Sequence, residues 1–587
     1  MPEAHENGWP MIHRRAATNT WVVIPESLSS RMLLGFETLE CDGWLLARST
    51  DGRFADDRCL EETASGAVLM EGVILNRSQL LNTTAARSTA HLLERLRDQS
   101  GTGSALRSLR GVFSGCFIDR KKHVIDLFVN PTGDTAVYLY TQADTLVASN
   151  SFEVLSRVIR ENKLQLTFNE RAARMMLSYG YMVDDSSFAN EVHRLLPGCY
   201  AKATSSGSLK LSTVQYWGLS NEPTTKSLDL HVREFGAIFR EAVRLGFDKD
   251  IEYGYGKHLA DMSGGLDART VNFVASDLGY RPITNITYGQ FHSDDVQYAR
   301  KTSDYLGNVS MVMPLDSGNC LLEPQEILRL NSGSAYYGGI TGGKHFLESL
   351  NFAEFGLEHV GQLGDVVLGT FSQDQNAPPD PDAGKYSNLH NIEGLVDVSM
   401  FASQEMYMMQ TRGFLGAVST HLTRNHFTYA YSPFLDVDVL DYAMSIPVAV
   451  RRNHRFYHAW LEKDYPNSLT IPTTRRLHSP TAFIRRAPRN LRRAFELISS
   501  QMHDRFGLRL LEPSSSMNPF EYWLQHNLAL QELLDRQLER AEQIDVSENL
   551  RQELRCSLAR NSSVIDRLLG TTVVSMFDLH FSAAAGC

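Results

Sequence analysis

The sequence predicts a mixed protein, with an α+β part followed by an α/β part and a helical end, on three observations. Short strand candidates separated by turn signals dominate the first 215 residues or so. A β-α-β-α-β succession occupies residues 258–313, the order typical of a parallel sheet with helices on its faces. From there to about residue 570 the patterns are mainly helical.

The first part contains strand candidates rich in β-branched and aromatic residues. They are residues 21–24, 43–46, 68–70, 111–118, 124–129 and 136–140. Helical patterns near 78–99 and 152–180 lie between them, so we expect a layered α+β domain. The polar stretch 219–226 is typical of a linker. We therefore expect domains at 1–218, 227–480 and 481–587, the last a helical extension.

The ten residues HLADMSGGLD, 258–267, are the most informative stretch of the chain. A short apolar strand leads into Ser-Gly-Gly-x-Asp, and an amphipathic helix with apolar residues at i, i+3, i+4 and i+7 follows at once. The first amides of such a helix lack internal partners and carry the positive end of its dipole, so they can hold an anion. Ser263, Gly264 and Gly265 are therefore expected to bind the phosphates of ATP, together with Asp267, whose carboxylate suits Mg²⁺.

Two further units extend this pattern. Residues 282–288 form a β-rich run, Ser293 can cap a helix that ends at Gly307, and residues 309–313 give a third strand. An apolar stripe over 228–242 predicts a helix before the first strand. Ligands of parallel sheets bind at the carboxyl ends of the strands, where the 263–267 loop would lie.

Composition narrows the classes of function. The net charge of −11 argues against a nucleic-acid-binding surface. No apolar run approaches the roughly 20 residues of a membrane span, and the N-terminus lacks a signal-peptide layout, so we expect a cytoplasmic protein without membrane contact. The seven cysteines are scattered and never in CxxC spacing, which indicates reduced thiols. His454 and His458, four residues apart, favour packing or solvent-facing roles over a metal pair.

A second glycine-rich stretch, residues 338–345, is similar to a GxxxxGK phosphate loop. His345 stands where that motif needs Ser or Thr, so the hydroxyl that binds Mg²⁺ is missing. We therefore expect residues 338–343 to form a flexible loop on the substrate side. The polar, proline-rich residues 372–389 are expected to be a surface loop or a lid.

The α/β part resembles the synthetase domain of the asparagine synthetase superfamily. Four landmarks occur in that family's order, and they are Ser263–Asp267, Asp295–Ala299, Gly361–Asp365 and Ser432–Asp436. The resemblance reaches roughly residue 480. It implies a parallel-sheet ATP-pyrophosphatase domain, similar to the adenine nucleotide alpha hydrolases, followed by the helical extension.

The first part resembles the glutaminase-type domain of the same family, an Ntn-type sandwich of the class II glutaminases. The matching pieces are residues 72–76, 109–113, 130–133 and 195–198, with Tyr216-Trp217 at the close. Members that hydrolyse glutamine use an N-terminal cysteine, whereas Pro2 follows Met1 here and the first cysteine is Cys41. The resemblance therefore implies a degenerate domain without glutaminase activity, and it favours an amine already present on the substrate.

Two departures concern the synthetase landmarks. Ala268 stands where the family has a second serine, which removes one hydroxyl contact to phosphate. Gln362 stands where an acidic or tyrosine side chain often lies, and an amide does not take a proton near neutral pH. The general base on the acceptor side is therefore left open.

Amide formation from a carboxylate is uphill in water, so the carboxylate must be activated. ATP can do this by forming an acyl-adenylate and releasing pyrophosphate, which requires a phosphate cradle, Mg²⁺ and a cation for the leaving group. Asp267 is the expected Mg²⁺ ligand, and the family match adds Asp365. The basic patch that begins at Arg475 and Arg476 supplies candidate catalytic cations.

The sequence and the resemblance together predict a C–N bond-forming ligase that converts ATP to AMP and pyrophosphate. Lactam or macrolactam formation in a biosynthetic pathway, such as that of an antibiotic, is the favoured version, with a small molecule or precursor peptide as substrate and a protease as a candidate partner. Asparagine synthase-type amidation with free ammonia is an alternative. A non-catalytic nucleotide-binding scaffold is another, and Ala268 and Gln362 favour it. The substrates and the oligomeric state stay open.

Overall fold

A computed structural model describes residues 18–204, 208–339, 341–371, 380–384, 387, 392, 394–474 and 516–582. It contains two antiparallel sheets and one parallel sheet joined by helices, which confirms the predicted mixed α/β class. Most of the predicted surface loop at 372–389 lies outside the described residues.

The antiparallel sheets occupy the first part of the chain. Their strands are β1 (Thr20–Pro25), β2 (Glu37–Cys41), β3 (Trp44–Ser49), β4 (Cys59–Glu62), β5 (Gly66–Ile74), β6 (Gly111–Asp119), β7 (Val124–Val129), β8 (Tyr138–Gln142), β9 (Thr145–Ser149), β10 (Val192–Arg194), β11 (Cys199–Thr204) and β12 (Lys210–Gln215). One sheet has the order β10-β8-β9-β1-β3-β2 and the other β12-β11-β7-β6-β5-β4. Each predicted strand of this part lies within or overlaps one of them.

Four helices accompany these sheets. They are α1 (Arg77–Thr84), α2 (Thr89–Ser108), α3 (Phe152–Glu161) and α4 (Glu170–Tyr179). The helical region predicted near 152–180 contains two helices, because Asn162 leaves helical geometry and Lys163 adopts a left-handed φ of 54°. The chain resumes a helix only after the Asn169 side chain caps its first turn.

Alternation along β1 shows how the layers form. Trp21 and Val23 point between the two sheets, whereas Val22 and Ile24 pack against helices on the outer side. Because successive side chains of a strand point to opposite faces, both faces of the sheet are buried. Leu93 of α2 packs in the same way on the outer face of the other sheet. The result is a four-layer α-β-β-α arrangement.

The parallel sheet has the order β15-β14-β13-β16-β17. Its strands are β13 (Lys257–Asp261), β14 (Ile283–Gly289), β15 (Val309–Pro314), β16 (Phe355–His359) and β17 (Ala430–Tyr431). Strand β13 pairs with β14 and β16 in parallel, so the loop after Asp261 emerges at the centre of the carboxyl edge. The predicted succession over 258–313 is confirmed, including Ser293, whose hydroxyl accepts from the Val296 amide.

The helices of this second part surround the parallel sheet and continue beyond it. They are α5 (Leu228–Glu252), α6 (Asp267–Asp277), α7 (Asp294–Leu306), α8 (Pro324–Asn331), α9 (Thr341–Glu348), α10 (Gln404–Met408), α11 (His421–Arg424), α12 (Val437–Ser445), α13 (Val448–Arg451), α14 (Arg455–Asp464), α15 (Phe520–His526), α16 (Leu528–Ala541), α17 (Glu548–Leu558) and α18 (Val564–His580). Among the described residues, no helix combines the length and the apolar character needed to cross a bilayer.

The predicted loop at 338–343 is wrong from Thr341 onward, where α9 begins. Lys344, the lysine of the GxxxxGK-like stretch, is buried in an ion-pair cluster. Its ammonium lies 2.6 Å from Glu326 and 3.1 Å from Glu348. This lysine therefore stabilises the packing of α9 on α8 and does not face a phosphate.

A buried carboxylate ties α5 to the parallel sheet. Asp250 Oδ2 lies 2.7 Å from His258 Nδ1 on β13 and 2.8 Å from His359 Nε2 on β16, and its other oxygen accepts the Leu357 amide at 2.8 Å. Burial alone would raise the pKa of Asp250, but the two imidazoles outweigh it and hold the pKa below its ordinary value. Among the described residues, these side chains are also the one group of three or more close potential metal ligands, but hydrogen bonds account for their arrangement.

The C-terminal helices pack on the N-terminal part. Helix α18 contacts α4 and α8, and its apolar side chains join the core on the outer side of the first sheet. His580, at its end, is buried with Nδ1 3.0 Å from the Ser156 hydroxyl and Nε2 3.8 Å from Glu153. Burial lowers the pKa of His580 to about 3, although the negative charge of Glu153 acts in the opposite direction.

This histidine predicts a dependence of stability on pH. Between pH 6.5 and 3, His580 is protonated in the unfolded chain but neutral in the folded chain. Acidification therefore favours unfolding. We expect the free energy of unfolding to fall by about 1.4 kcal/mol per pH unit from this group. Urea unfolding of wild type and of His580→Gln between pH 7.5 and 4.5 measures the difference. Equal slopes for the two proteins would contradict it, and replacement of the exposed His526 serves as the control.

Candidate active site

The loop after β13 turns at the carboxyl edge of the parallel sheet. The Met262 amide bonds to the Ile286 carbonyl at 2.9 Å, which keeps the chain beside β14 before it turns. Helix α6 then begins at Asp267, and no side chain caps its first turn. Uncapped amides at a helix N-terminus are suited to an anionic ligand.

Close packing requires the first of the two glycines, Gly264. A side-chain carbon on Gly264 would lie 2.6 Å from Thr474 Cγ2 and 2.9 Å from Asp295 Cα. The Asp295 carboxyl group accepts a hydrogen bond from the Gly264 amide, and Ser263 Oγ accepts one from the Gly265 amide at 3.2 Å. These hydrogen bonds fix the shape of the loop. The phosphate oxygens of a bound ligand would replace them or add to them.

Asp267 and Asp365 lie side by side. The Asp365 amide donates to Asp267 Oδ2 at 3.0 Å, and the Tyr457 hydroxyl donates to Asp267 Oδ1 at 3.2 Å. The same hydroxyl lies 2.9 Å from Thr270 Oγ1. Gly364 allows this approach, since a side-chain carbon there would lie 2.7 Å from Asp267 Cγ. Both residues border the same cavities, and carboxylate oxygens are ligands that Mg²⁺ prefers.

Two cavities meet at this carboxylate pair. The larger, of about 350 Å³, extends along the ends of β13, β14 and β16, and Met517 forms part of its wall. The smaller, of about 260 Å³, is bounded by α14 and residues 469–473. Gly265, Asp267 and Asp365 border both. A ligand that spans the two cavities would therefore pass over the carboxylates.

Arg269 is buried directly behind the loop. Its guanidinium donates to the carbonyls of Ile471 at 2.6 Å, of Ser468 at 2.9 Å and of Pro472 at 2.9 Å. A weaker contact of 3.5 Å reaches the Gly264 carbonyl. Burial lowers the pKa of Arg269 to about 10, so it stays charged at neutral pH. This side chain fastens the wall of the smaller cavity to the glycine loop and places a positive charge beside it.

A second polar group borders the larger cavity. Arg424 of α11 contacts Glu358 of β16 closely and Asp261 at 3.1 Å, and it donates to the Tyr288 hydroxyl at 2.8 Å. Asp261, Tyr288 and Arg424 face the cavity, whereas Glu358 is fully buried behind them. The larger cavity is therefore lined both by the glycine loop and by an acidic end, which Asp261 and Arg424 form with Glu358 behind them.

The remaining predicted residues divide into three cases. Ala268 is buried under Gly361, and Gln362 lines the larger cavity while its amide donates to the Ala417 carbonyl at 3.2 Å. His454 and His458 line the smaller cavity beside Asp267 and Asp365, a location that their spacing did not predict. Arg475 and Arg476 lie outside the described residues.

Sequence reasoning missed Asp261, Arg269, Glu358, Arg424 and Tyr457. For two of them a signal was present, since Asp261 and Glu358 are charges inside short apolar strands of a parallel sheet, where both faces are normally covered. Such a charge requires a buried partner. The partner, Arg424, comes from a helix more than sixty residues further along the chain, and no local pattern identifies it.

Comparisons with known proteins give matches to solved structures only. No protein-family model and no curated protein matches this chain. A solved structure of the allosteric regulatory enzyme of purine biosynthesis is similar at a TM-score of 0.25 with 8% identity, covering 51% of this chain and 76% of its own. Glutamine phosphoribosylpyrophosphate amidotransferase from B. subtilis, complexed with ADP and GMP, has a TM-score of 0.25 and 9% identity, covering 74% of this chain and 88% of its own. TM-scores this low assign neither fold family nor function to this chain.

Proposed function

We propose that the protein is an ATP-dependent, AMP-forming amide synthetase that adenylates a carboxylate and couples it to an amine. The observation that carries the proposal is the pairing of Asp267 with Asp365 beside an uncapped helix N-terminus, between two cavities. In this proposal the parallel sheet is an ATP-pyrophosphatase domain, and the four-layer part is a degenerate glutaminase-type domain.

The residues present fit magnesium and the phosphates of ATP. Asp267 and Asp365 would hold Mg²⁺, which supplies neutralisation of the charge on the phosphates. The first amides of α6 would receive the phosphate chain, and Arg269 adds positive charge behind the loop. Tyr457 fixes the orientation of Asp267, so that its carboxylate need not reorganise when the ligand arrives.

The proposed chemistry has two steps. A carboxylate oxygen attacks the α-phosphorus of ATP, and pyrophosphate leaves with the electron pair of the bond that breaks. An amine then attacks the acyl carbon, the C–N bond forms and AMP departs.

The four-layer part supports an amine that does not come from glutamine. Cys41 is only 3% exposed, and burial raises the pKa of its thiol. A buried protonated thiol is a poor nucleophile. We therefore infer that the substrate carries its own amine, as in lactam or macrolactam formation within a biosynthetic pathway.

Pyrophosphate release tests the proposal. Incubation with MgATP and pools of small carboxylates or peptides is expected to release pyrophosphate and AMP with one class of carboxylate only. Removal of Mg²⁺ with EDTA should abolish the release, and added Mg²⁺ should restore it. Formation of ADP and phosphate, or the lack of any carboxylate dependence, would contradict an AMP-forming synthetase.

A further inference from the structure

The acidic end of the larger cavity is built from carboxyl groups that share a single cation. Asp261 and Glu358 lie within hydrogen-bond reach of each other, and Arg424 contacts both. Glu358 is 0% exposed, and its Oε2 has no hydrogen-bond partner among the described residues. A buried carboxylate oxygen without a donor is costly. A proton shared between the two carboxyl groups satisfies that oxygen.

The ionisation of the pair agrees with this geometry. Burial raises the pKa of Glu358 well above its ordinary value, Arg424 opposes the shift and the neighbouring Asp261 adds to it. With one shared proton, the pair carries one negative charge and Arg424 one positive charge. The cluster is then neutral, and the Tyr288 hydroxyl completes it by accepting from Arg424.

Exposure distinguishes the roles of the two acids. The Asp261 side chain is 21% exposed and faces the cavity, whereas Glu358 lies behind it. Asp261 ends β13, and the same cavity reaches the glycine loop only two residues later. A group bound to Asp261 would therefore lie in the same chamber as a carboxylate activated at that loop.

We propose that Asp261, backed by Glu358 and Arg424, binds the amine substrate as an ammonium ion and takes its proton before it attacks. This inference rests on the proposed function and assigns the acceptor side that Gln362 cannot serve. Asp261 is the catalytic residue, because it touches the amine. Glu358 and Arg424 are positioning residues that act through it.

Protons and charge balance in this scheme. The arriving ammonium displaces the shared proton to solvent, so that the chamber keeps its net charge. The ammonium then gives one proton to the Asp261–Glu358 pair and becomes a neutral amine with a free electron pair. The amine forms the C–N bond, the bond from the acyl carbon to the AMP oxygen breaks, and that oxygen takes the second N–H proton.

Two small nucleophiles of different protonation test the assignment. Near pH 7.5 ammonia is mostly protonated to ammonium and needs a base to remove that proton. Hydroxylamine is mostly neutral at this pH and needs none. With an analogue of the identified carboxylate that lacks its own amine, and so leaves the acceptor position open, wild type should form the amide from ammonium chloride and the hydroxamate from hydroxylamine. Asp261→Asn should lower amide formation about 100-fold but keep hydroxamate formation and ATP–pyrophosphate exchange within about threefold. Glu358→Gln should show the same split, and the exposed Glu354→Gln should change neither product.

Each other outcome has a defined meaning. The acceptor role is overturned if Asp261→Asn and Glu358→Gln keep the reaction with ammonium. It is also overturned if they lose the reactions with ammonium and hydroxylamine equally. In both cases the synthetase function stands. Wild type that exchanges pyrophosphate but does not use ammonium also overturns the acceptor role alone. Wild type without any exchange overturns the synthetase function, and this inference with it.

Discussion

Asp267→Asn is expected to lower carboxylate-dependent pyrophosphate release by about 100-fold or more. The asparagine keeps the shape of the side chain and one oxygen that can accept from Tyr457 or the Asp365 amide. It loses the negative charge that would hold Mg²⁺ against the phosphates. The initial rate of pyrophosphate release at saturating MgATP measures the effect.

The same helix offers a matched control. Asp277 lies at the other end of α6, is exposed and pairs with Arg240. Asp277→Asn should therefore leave the rate within about twofold, since exposed ion pairs contribute little. A wild-type rate in Asp267→Asn, with both variants folded by circular dichroism, would remove Asp267 from the site.

Asp250→Ala is expected to give the largest loss of stability, about 3 kcal/mol or more of the free energy of unfolding. The change leaves the imidazoles of His258 and His359 and the Leu357 amide without their acceptor in a buried region. It also disconnects α5 from β13 and β16, the strands that present the glycine loop and the Gly361–Asp365 loop. The midpoint of urea unfolding at neutral pH measures the loss.

An exposed acid on the same helix serves as the control for Asp250. Glu241 pairs with Arg244 at the surface of α5, and Glu241→Ala should change the free energy of unfolding by less than about 0.5 kcal/mol. Because the pKa of Asp250 is held low in the folded protein, its contribution is present above the ordinary aspartate pKa and is lost on acidification. A loss of less than about 1 kcal/mol in Asp250→Ala would contradict the role of Asp250 in joining α5 to the parallel sheet.

Local patterns predicted those parts of the molecule that local interactions determine. The strands and helices of residues 258–313 were identified because their apolar periodicity and their caps lie within the elements themselves. Asp267 was identified because Ser-Gly-Gly marks a tight turn before a helix. The helical pattern near 152–180 did not locate the break between α3 and α4, since nothing in the composition of 162–169 forces Lys163 into left-handed geometry.

The rest of the site depends on long-range packing. Arg269 occupies a position two residues into a helix, where a charge usually faces solvent, and only the folding of residues 468–472 over it makes it buried. Tyr457 meets Asp267 across 190 residues of sequence. Contacts of this kind follow from the complete fold, and a single sequence contains no pattern that specifies them.

Transfer of oxygen from the carboxylate to AMP tests the central claim most directly. The carboxylate found by pyrophosphate release is labelled with ¹⁸O in both oxygens, and the AMP formed during amide synthesis is analysed by mass spectrometry. Attack of a carboxylate oxygen on the α-phosphorus predicts one ¹⁸O in each AMP and none in pyrophosphate. Unlabelled AMP, or ¹⁸O in inorganic phosphate, would contradict it.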